Sequence, residues 1–166
     1  MLRYRVDGKK LVVKRMYKSF IIGCGRIAGY SDDGAVNDFT HGYAYRENQN
    51  VQLAGCMDRD SNKGKLFAKK FNCTAFEDYK EGIDGTKSEI VSVCTPDDTH
   101  FQIVKALIEM DSNIQVIFLE KPACSTMEEM EELINLSTER NIDIVVNHTR
   151  RFDARYLEIR NNIADG

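Results

Sequence analysis

A chain of 166 residues, 42% hydrophobic and 30% charged, is long enough to bury one ordinary core without disulfide or metal staples, and its two prolines exclude a proline-rich linker. A formal net charge of −3 with no long lysine or arginine run removes the electrostatic footprint that nucleic acid or an anionic membrane requires, so a small molecule is the expected partner. No apolar run approaches a signal-peptide core or a bilayer span, and the five scattered cysteines form no C-x-x-C pair, so a cytoplasmic protein with reduced, mostly buried thiols and no metal site is expected.

Residues 1–16 precede the regular pattern. Asp7-Gly8 between two β-prone arms is the signal of a type I′ hairpin, so this extension reads as an added edge hairpin or as a lead-in without function before Met16. From 17 to 150 short β-rich runs alternate with longer helical ones. The expected strands are 19–23, 51–57, 73–76, 89–94, 115–120 and 142–147, several of them nearly continuous in Val, Ile, Leu and Phe, as in strands buried on both faces. The predicted fold is α/β: a Rossmann-type, doubly wound, mostly parallel six-stranded sheet with helices on both faces.

The helices have their own signals. One follows Ser61 with Leu66, Phe67 and Phe71 on its apolar side, and another follows Asp98 with Ile103, Val104, Leu107 and Met110. In "STMEEMEELINLS", Ser125 and Glu128 form a predicted capping box, with Met127, Met130, Leu133, Ile134 and Ser137 along one stripe and a solvated glutamate face opposite. Residues 151–166 read as a terminal helix.

Directly after the first strand, Gly23, Gly25 and Ala28 form G-x-G-x-x-A. The first glycine permits a tight turn, the second lets backbone approach a pyrophosphate, and the small third residue allows close helix packing, with amide groups of the helix start facing the anion. Asp58 closes the second strand, where such a fingerprint places an acid for the ribose hydroxyls. It lies 30 residues after Ala28, against about 20 in the fingerprint. About ten residues of "GYSDDGAVNDF" must therefore loop out, with Asp32 and Asp33 on the loop surface and the helix resuming near Thr40 and His41. Arg59 would suit a 2′-phosphate and Asp58 would repel it, so NAD is the expected cofactor and NADP is left open.

Three stretches, "IIGCGRIAG", "CTPDDTH" and "LEKP", each follow a predicted strand, and "NHTRRFDARY" follows the sixth. In this order they resemble the N-terminal half of the Gfo/Idh/MocA oxidoreductases, relatives of glucose-fructose oxidoreductase and inositol dehydrogenase. The resemblance implies that Gly23, Gly25, Arg26 and Ile27 hold the dinucleotide, that Asp58 holds the adenosine ribose, and that Cys94, Thr95 and Pro96 line the nicotinamide side. Arg59, Glu120 and Lys121 join the expected cofactor contacts. His100 reads equally as a ligand contact or as a capping or surface residue.

Lys121, beside the nicotinamide and the reacting carbinol, is the implied catalytic residue, and its peptide to Pro122 is often cis in such proteins. Hydride would pass between the nicotinamide and a hydroxyl-bearing carbon while Lys121 orients that oxygen and helps move its proton. Arg150 and Arg151 read either as anion contacts or as solvated side chains. His41 resembles a first-helix histidine common near the cofactor, and both it and His148 also read as packed or capped.

The family's second α/β domain, which supplies much of the substrate pocket, would begin where this sequence ends, so a fragment is expected to lack turnover by itself. The implied substrate is a sugar, sugar nucleotide or polyol, with "GYSDD" and "NHTRRFD" resembling members associated with surface polysaccharides. A homo-oligomer is left open. The rival readings are a non-catalytic nucleotide-binding or scaffold protein of the same fold and a methyltransferase using S-adenosylmethionine, which the "LEKP" strand end does not fit.

Overall fold

The computed structural model describes residues 15–29 and 40–164. The expected hairpin at Asp7-Gly8 and the loop residues Asp32 and Asp33 lie outside them. The elements run β1 (Tyr17–Ile22), α1 (His41–Glu47), β2 (Val51–Met57), α2 (Ser61–Phe71), β3 (Thr74–Phe76), α3 (Tyr79–Thr86), β4 (Ile90–Val93), α4 (His100–Glu109), β5 (Val116–Glu120), α5 (Met127–Arg140), β6 (Asp143–Asn147) and α6 (Ala154–Ala164). Short 3₁₀ turns at Asp97–Thr99 and Thr149–Phe152 precede α4 and α6. The six strands form one sheet in the order β3-β2-β1-β4-β5-β6, with every neighbouring pair parallel.

All six expected strands are present to within two residues. Their apolar runs are used on both faces. Phe20, Ile22, Val91, Val93, Ile117 and Leu119 pack with Ile83 of α3, Val104 and Leu107 of α4 and Leu133 of α5. Ile21, Leu53 and Cys56 pack on the opposite face with Phe67 and Phe71 of α2. Each fully buried Phe, Leu or Ile contributes about 1.5–3 kcal/mol.

Helix phases differ in detail from their predicted stripes. Leu66 is 52% exposed and Ala68 takes the inward position beside Phe67. In α5, Leu133 and Ser137 are buried but Met127 and Ile134 point outward. The capping box of α5 is Thr126 with Glu129, not Ser125 with Glu128. Thr126 Oγ1 accepts from Glu129 N at 3.2 Å, and Glu129 Oε2 accepts from Thr126 N at 3.3 Å. The sequence satisfies the S/T-x-x-E spacing twice, one residue apart, and the fold uses the second. Helix α3 had no apolar stripe to announce it. Asp78 caps it by accepting from Lys80 N and Glu81 N.

The first crossover shows how the chain accommodates its extra residues. Gly29 N donates to Gly25 O, an ordinary helical bond, and the next two such bonds run from His41 N to Ile27 O and from Gly42 N to Ala28 O. Those two span 14 positions where a helix spans four, a difference of ten. Helical bonding therefore passes from residues 26–29 directly to 40–47. The expected resumption at Thr40, which caps α1 through Tyr43 N, holds, and the residues expected to loop out lie outside the described ones.

Candidate active site

Strand order reverses between β1 and β4, so the connections leaving their carboxyl ends diverge and open a crevice. A cavity of about 600 Å³ occupies it. Gly23, Gly25, Asp58, Arg59, Cys94, Thr95 and Pro96 all line this cavity, so seven of the expected site residues meet there from three separate strand ends. Lys63 and Tyr79 line it too. Neither was legible as a site residue, because only the start of α2 and of α3 at the same sheet end brings them in.

The glycine turn is shaped by what surrounds it. Gly23 has φ +87° and its Cα faces the β4 end so closely that a Cβ would lie 2.8 Å from the Cys94 carbonyl carbon and oxygen. Among the described residues, a Cβ on Gly25 would meet nothing within 4 Å. No described residue fills that space, and an open approach to the backbone is what a pyrophosphate cradle requires. Arg26 and Ile27 follow on an exposed turn beyond the cavity wall, and Ala28 is fully buried as the packing position demands.

Asp58 is half-buried and already bonded. Its Oδ2 accepts from Cys24 N at 2.7 Å, between the two glycines, and its Oδ1 accepts from Asp60 N at 2.8 Å. The acid therefore ties the glycine turn to the start of α2 and also lines the cavity. Asp60 in turn caps α2 by accepting from Asn62 N.

The cysteines are thiols. Cys24, Cys56 and Cys94 are buried. A hydrogen bond with the Cys24 side chain and burial hold the Cys56 thiol well above its ordinary range, and its bond to Cys56 and burial do the same for Cys73. Burial, then the nearby Glu120 carboxylate, pushes Cys94 up as well. A cysteine at the cavity wall is thereby kept from acting as a thiolate nucleophile.

At the end of β5 the Lys121–Pro122 peptide is cis. Lys121 is exposed and does not line the cavity. Glu120, one residue earlier, is 8% exposed and faces inward. Its Oε1 accepts from His41 Nε2 at 2.9 Å and from Asn147 Nδ2 at 2.6 Å, and its carboxylate also accepts from the Lys121 backbone N–H. Burial is the largest influence and raises its pKa, but these donors together outweigh it and hold the carboxyl below the ordinary range. His41 Nδ1 lies 2.9 Å from Ser92 Oγ, which Tyr45 OH approaches at 2.7 Å. Burial raises the Tyr45 phenol far above its ordinary value and keeps its proton in place. A buried polar chain thus runs from α1 through β4 to the residue that precedes Lys121.

His100 is neither at the surface nor a side-chain cap: it is 1% exposed, at the first position of α4. Its Nδ1 lies 2.6 Å from Pro122 O and its Nε2 lies 3.0 Å from Thr95 O. His148, Arg150 and Arg151 are exposed beyond β6 and away from the cavity wall.

A family model described as an oxidoreductase family with an NAD-binding Rossmann fold matches residues 17–148. UDP-N-acetylglucosamine 3-dehydrogenase of Acidithiobacillus ferrooxidans is 29% identical over 102 residues, covering 60% of this chain and 30% of that protein. Inositol 2-dehydrogenase of Rhizobium meliloti is 25% identical over 150 residues, covering 88% and 40%. A 3-ketoreductase from Actinomadura kijaniata, solved with NADP and TDP-benzene, superposes with a TM-score of 0.77 at 16% identity over 92% of this chain and 43% of that one, a likeness of fold. The chain spans less than half the length of each of these relatives. With the family pattern running through all six strands, the chain belongs to the Gfo/Idh/MocA oxidoreductases, over that family's NAD-binding Rossmann domain.

Proposed function

We propose that this chain is the dinucleotide-holding part of an oxidoreductase that moves hydride between nicotinamide and a hydroxyl-bearing carbon of a sugar, sugar nucleotide or polyol. The observation that carries this reading is the open crevice at the β1/β4 reversal, where a Cβ on Gly25 would meet no described residue within 4 Å and the Asp58 carboxylate lines the wall beside the glycine turn. The bound nucleotide supplies the hydride chemistry. The chain's residues hold it: Gly23 and Gly25 admit the pyrophosphate, the turn at Arg26 and Ile27 follows it, and Asp58 takes the ribose hydroxyls. Thr95 and Pro96 flank the nicotinamide. Lys121 orients the carbinol oxygen and exchanges its proton, while Glu120, anchored by His41 and Asn147, fixes the backbone from which Lys121 projects.

Residues 17–150 form this unit in our reading, residues 1–16 are an extension, and 151–166 lead toward a substrate domain that completes the site. Two relatives named as dehydrogenases of a sugar nucleotide and an inositol support the substrate class. A cytoplasmic setting, a substrate drawn from polysaccharide precursors and self-association belong to the same proposal. NAD is preferred, since the Asp58 carboxylate repels a 2′-phosphate, with Arg59 and Lys63 as its opponents. A non-catalytic nucleotide-binding module is the second reading, favoured by the placement of Lys121 outside the cavity wall.

The chain has no tryptophan, so nucleotide fluorescence reports binding directly. NADH is expected to bind saturably and more tightly than NADPH, and Asp58→Asn to weaken NADH by about 10- to 100-fold, the worth of a charged hydrogen bond. If neither nucleotide binds, the reading fails.

A further inference from the structure

Proton accounting separates the two buried histidines. His41 is satisfied as the neutral ring: Nε2–H donates to Glu120, and Nδ1 accepts from the Ser92 hydroxyl, whose oxygen accepts from Tyr45. His100 has no such solution. Both of its ring nitrogens lie at hydrogen-bond distance from backbone carbonyls, which only accept. A neutral ring has one N–H and would turn a lone pair toward the other carbonyl oxygen.

The two carbonyls belong to the parts of the site that must stay in register. Thr95 is on the cavity wall after β4, and Pro122 closes the cis peptide that follows Lys121. We propose that His100 is a positioning residue whose doubly protonated ring clasps Thr95 O and Pro122 O, and that loss of one proton to solvent releases one of these loops. The proposal rests on the cofactor reading for its consequence, since the clasp sets the spacing between the nicotinamide wall and Lys121.

The charges around the ring leave the carbonyls as its partners. On the turn leading into α4, Asp97 and Asp98 are exposed. At the end of β4, Cys94 is held as the thiol. At the end of β5, Glu120 is committed to His41 and Asn147, and Lys121 is exposed. Farther along α4, Lys105 pairs with Glu132 of α5. Burial and the amide end of α4 oppose a positive ring. The 2.6 Å contact with Pro122 O and the 3.0 Å contact with Thr95 O favour it, since a cationic ring donates to both.

The test has two arms on the intact chain. Histidine-selective ¹⁵N spectra distinguish protonated from bare ring nitrogens for the three histidines across the interval in which histidine titrates, about pH 5 to 8. His148→Gln and His100→Gln assign the signals. Two protonated nitrogens on His100, giving way to one as the pH rises, are expected; a bare nitrogen throughout overturns the clasp, and His41→Asn completes the assignment if His100→Gln does not fold. In the second arm, NADH and ADP-ribose, which lacks the nicotinamide, are titrated over the same range. NADH affinity is expected to fall by about two- to tenfold with rising pH, the worth of one hydrogen bond, while ADP-ribose stays level and His100→Gln removes the NADH dependence. A dependence that survives in His100→Gln overturns the proposal. If neither ligand binds, the cofactor reading fails, and the nitrogen spectra still decide the clasp.

Discussion

A Cβ on Gly23 would press on the Cys94 carbonyl, whereas one on Gly25 would meet none of the described residues. Two glycines of one motif are therefore glycine for different reasons, and substitution separates them. Gly23→Ala combines a positive φ with a backbone clash and is expected to cost about 1–3 kcal/mol or more of stability in urea melts. Gly25→Ala is expected to melt like the parent within about 0.5 kcal/mol and to weaken NADH roughly tenfold or more, by displacing the anion from the turn amides. The motif was legible in the sequence because the glycines, Asp58, the Thr95–Pro96 pair and Lys121 each sit at a strand end. The internal work of Asp58, which ties Cys24 N to the start of α2, was not, since those partners meet only in the folded chain.

Helix α5 and the end of β5 show the same division among elements. Thr126→Ala should cost about 1 kcal/mol, the usual worth of an N-cap, and Ser125→Ala less than about 0.5 kcal/mol, measured by denaturant unfolding; equal effects would place the cap wrongly. Glu120 joins three elements, β5 through its own backbone, α1 through His41 and β6 through Asn147. Its carboxyl is held below the ordinary range, so its ionised form stabilises the fold. That contribution is full above the unfolded value of about 4.3 and is lost as the pH falls through the lower folded one. Glu120→Gln is expected to cost about 1–3 kcal/mol near neutrality, with the difference from the parent shrinking on acidification in urea melts at successive pH values. The apolar pattern announced β5, but the network behind it joins residues 79 and 27 positions apart and left no local signal.

Across the whole molecule, burial is uneven. The sheet from β3 to β5 is covered by packed helices, whereas α6 packs chiefly on the short turn before it and leaves Tyr156, Ile159 and Ile163 at 45%, 55% and 76% exposure. A chain ending after Asp153 should therefore melt within about 4 °C of the full chain, the shift that 1 kcal/mol produces at this size; a larger loss would show that α6 supports the core. A shallow apolar groove between α5 and β6 brings no motif residue together and adds nothing to the site. The strand count, the parallel α/β class and the strand-end motifs could be read along the chain, because alternation, turn chemistry and spacing are local properties. The helical bonds from His41 and Gly42 back to Ile27 and Ala28, the anchoring of Glu120 by His41 and the pairing of His100 with two carbonyls became visible in the fold. Those contacts join residues distant in the chain, and their directions depend on how the helices pack on the sheet.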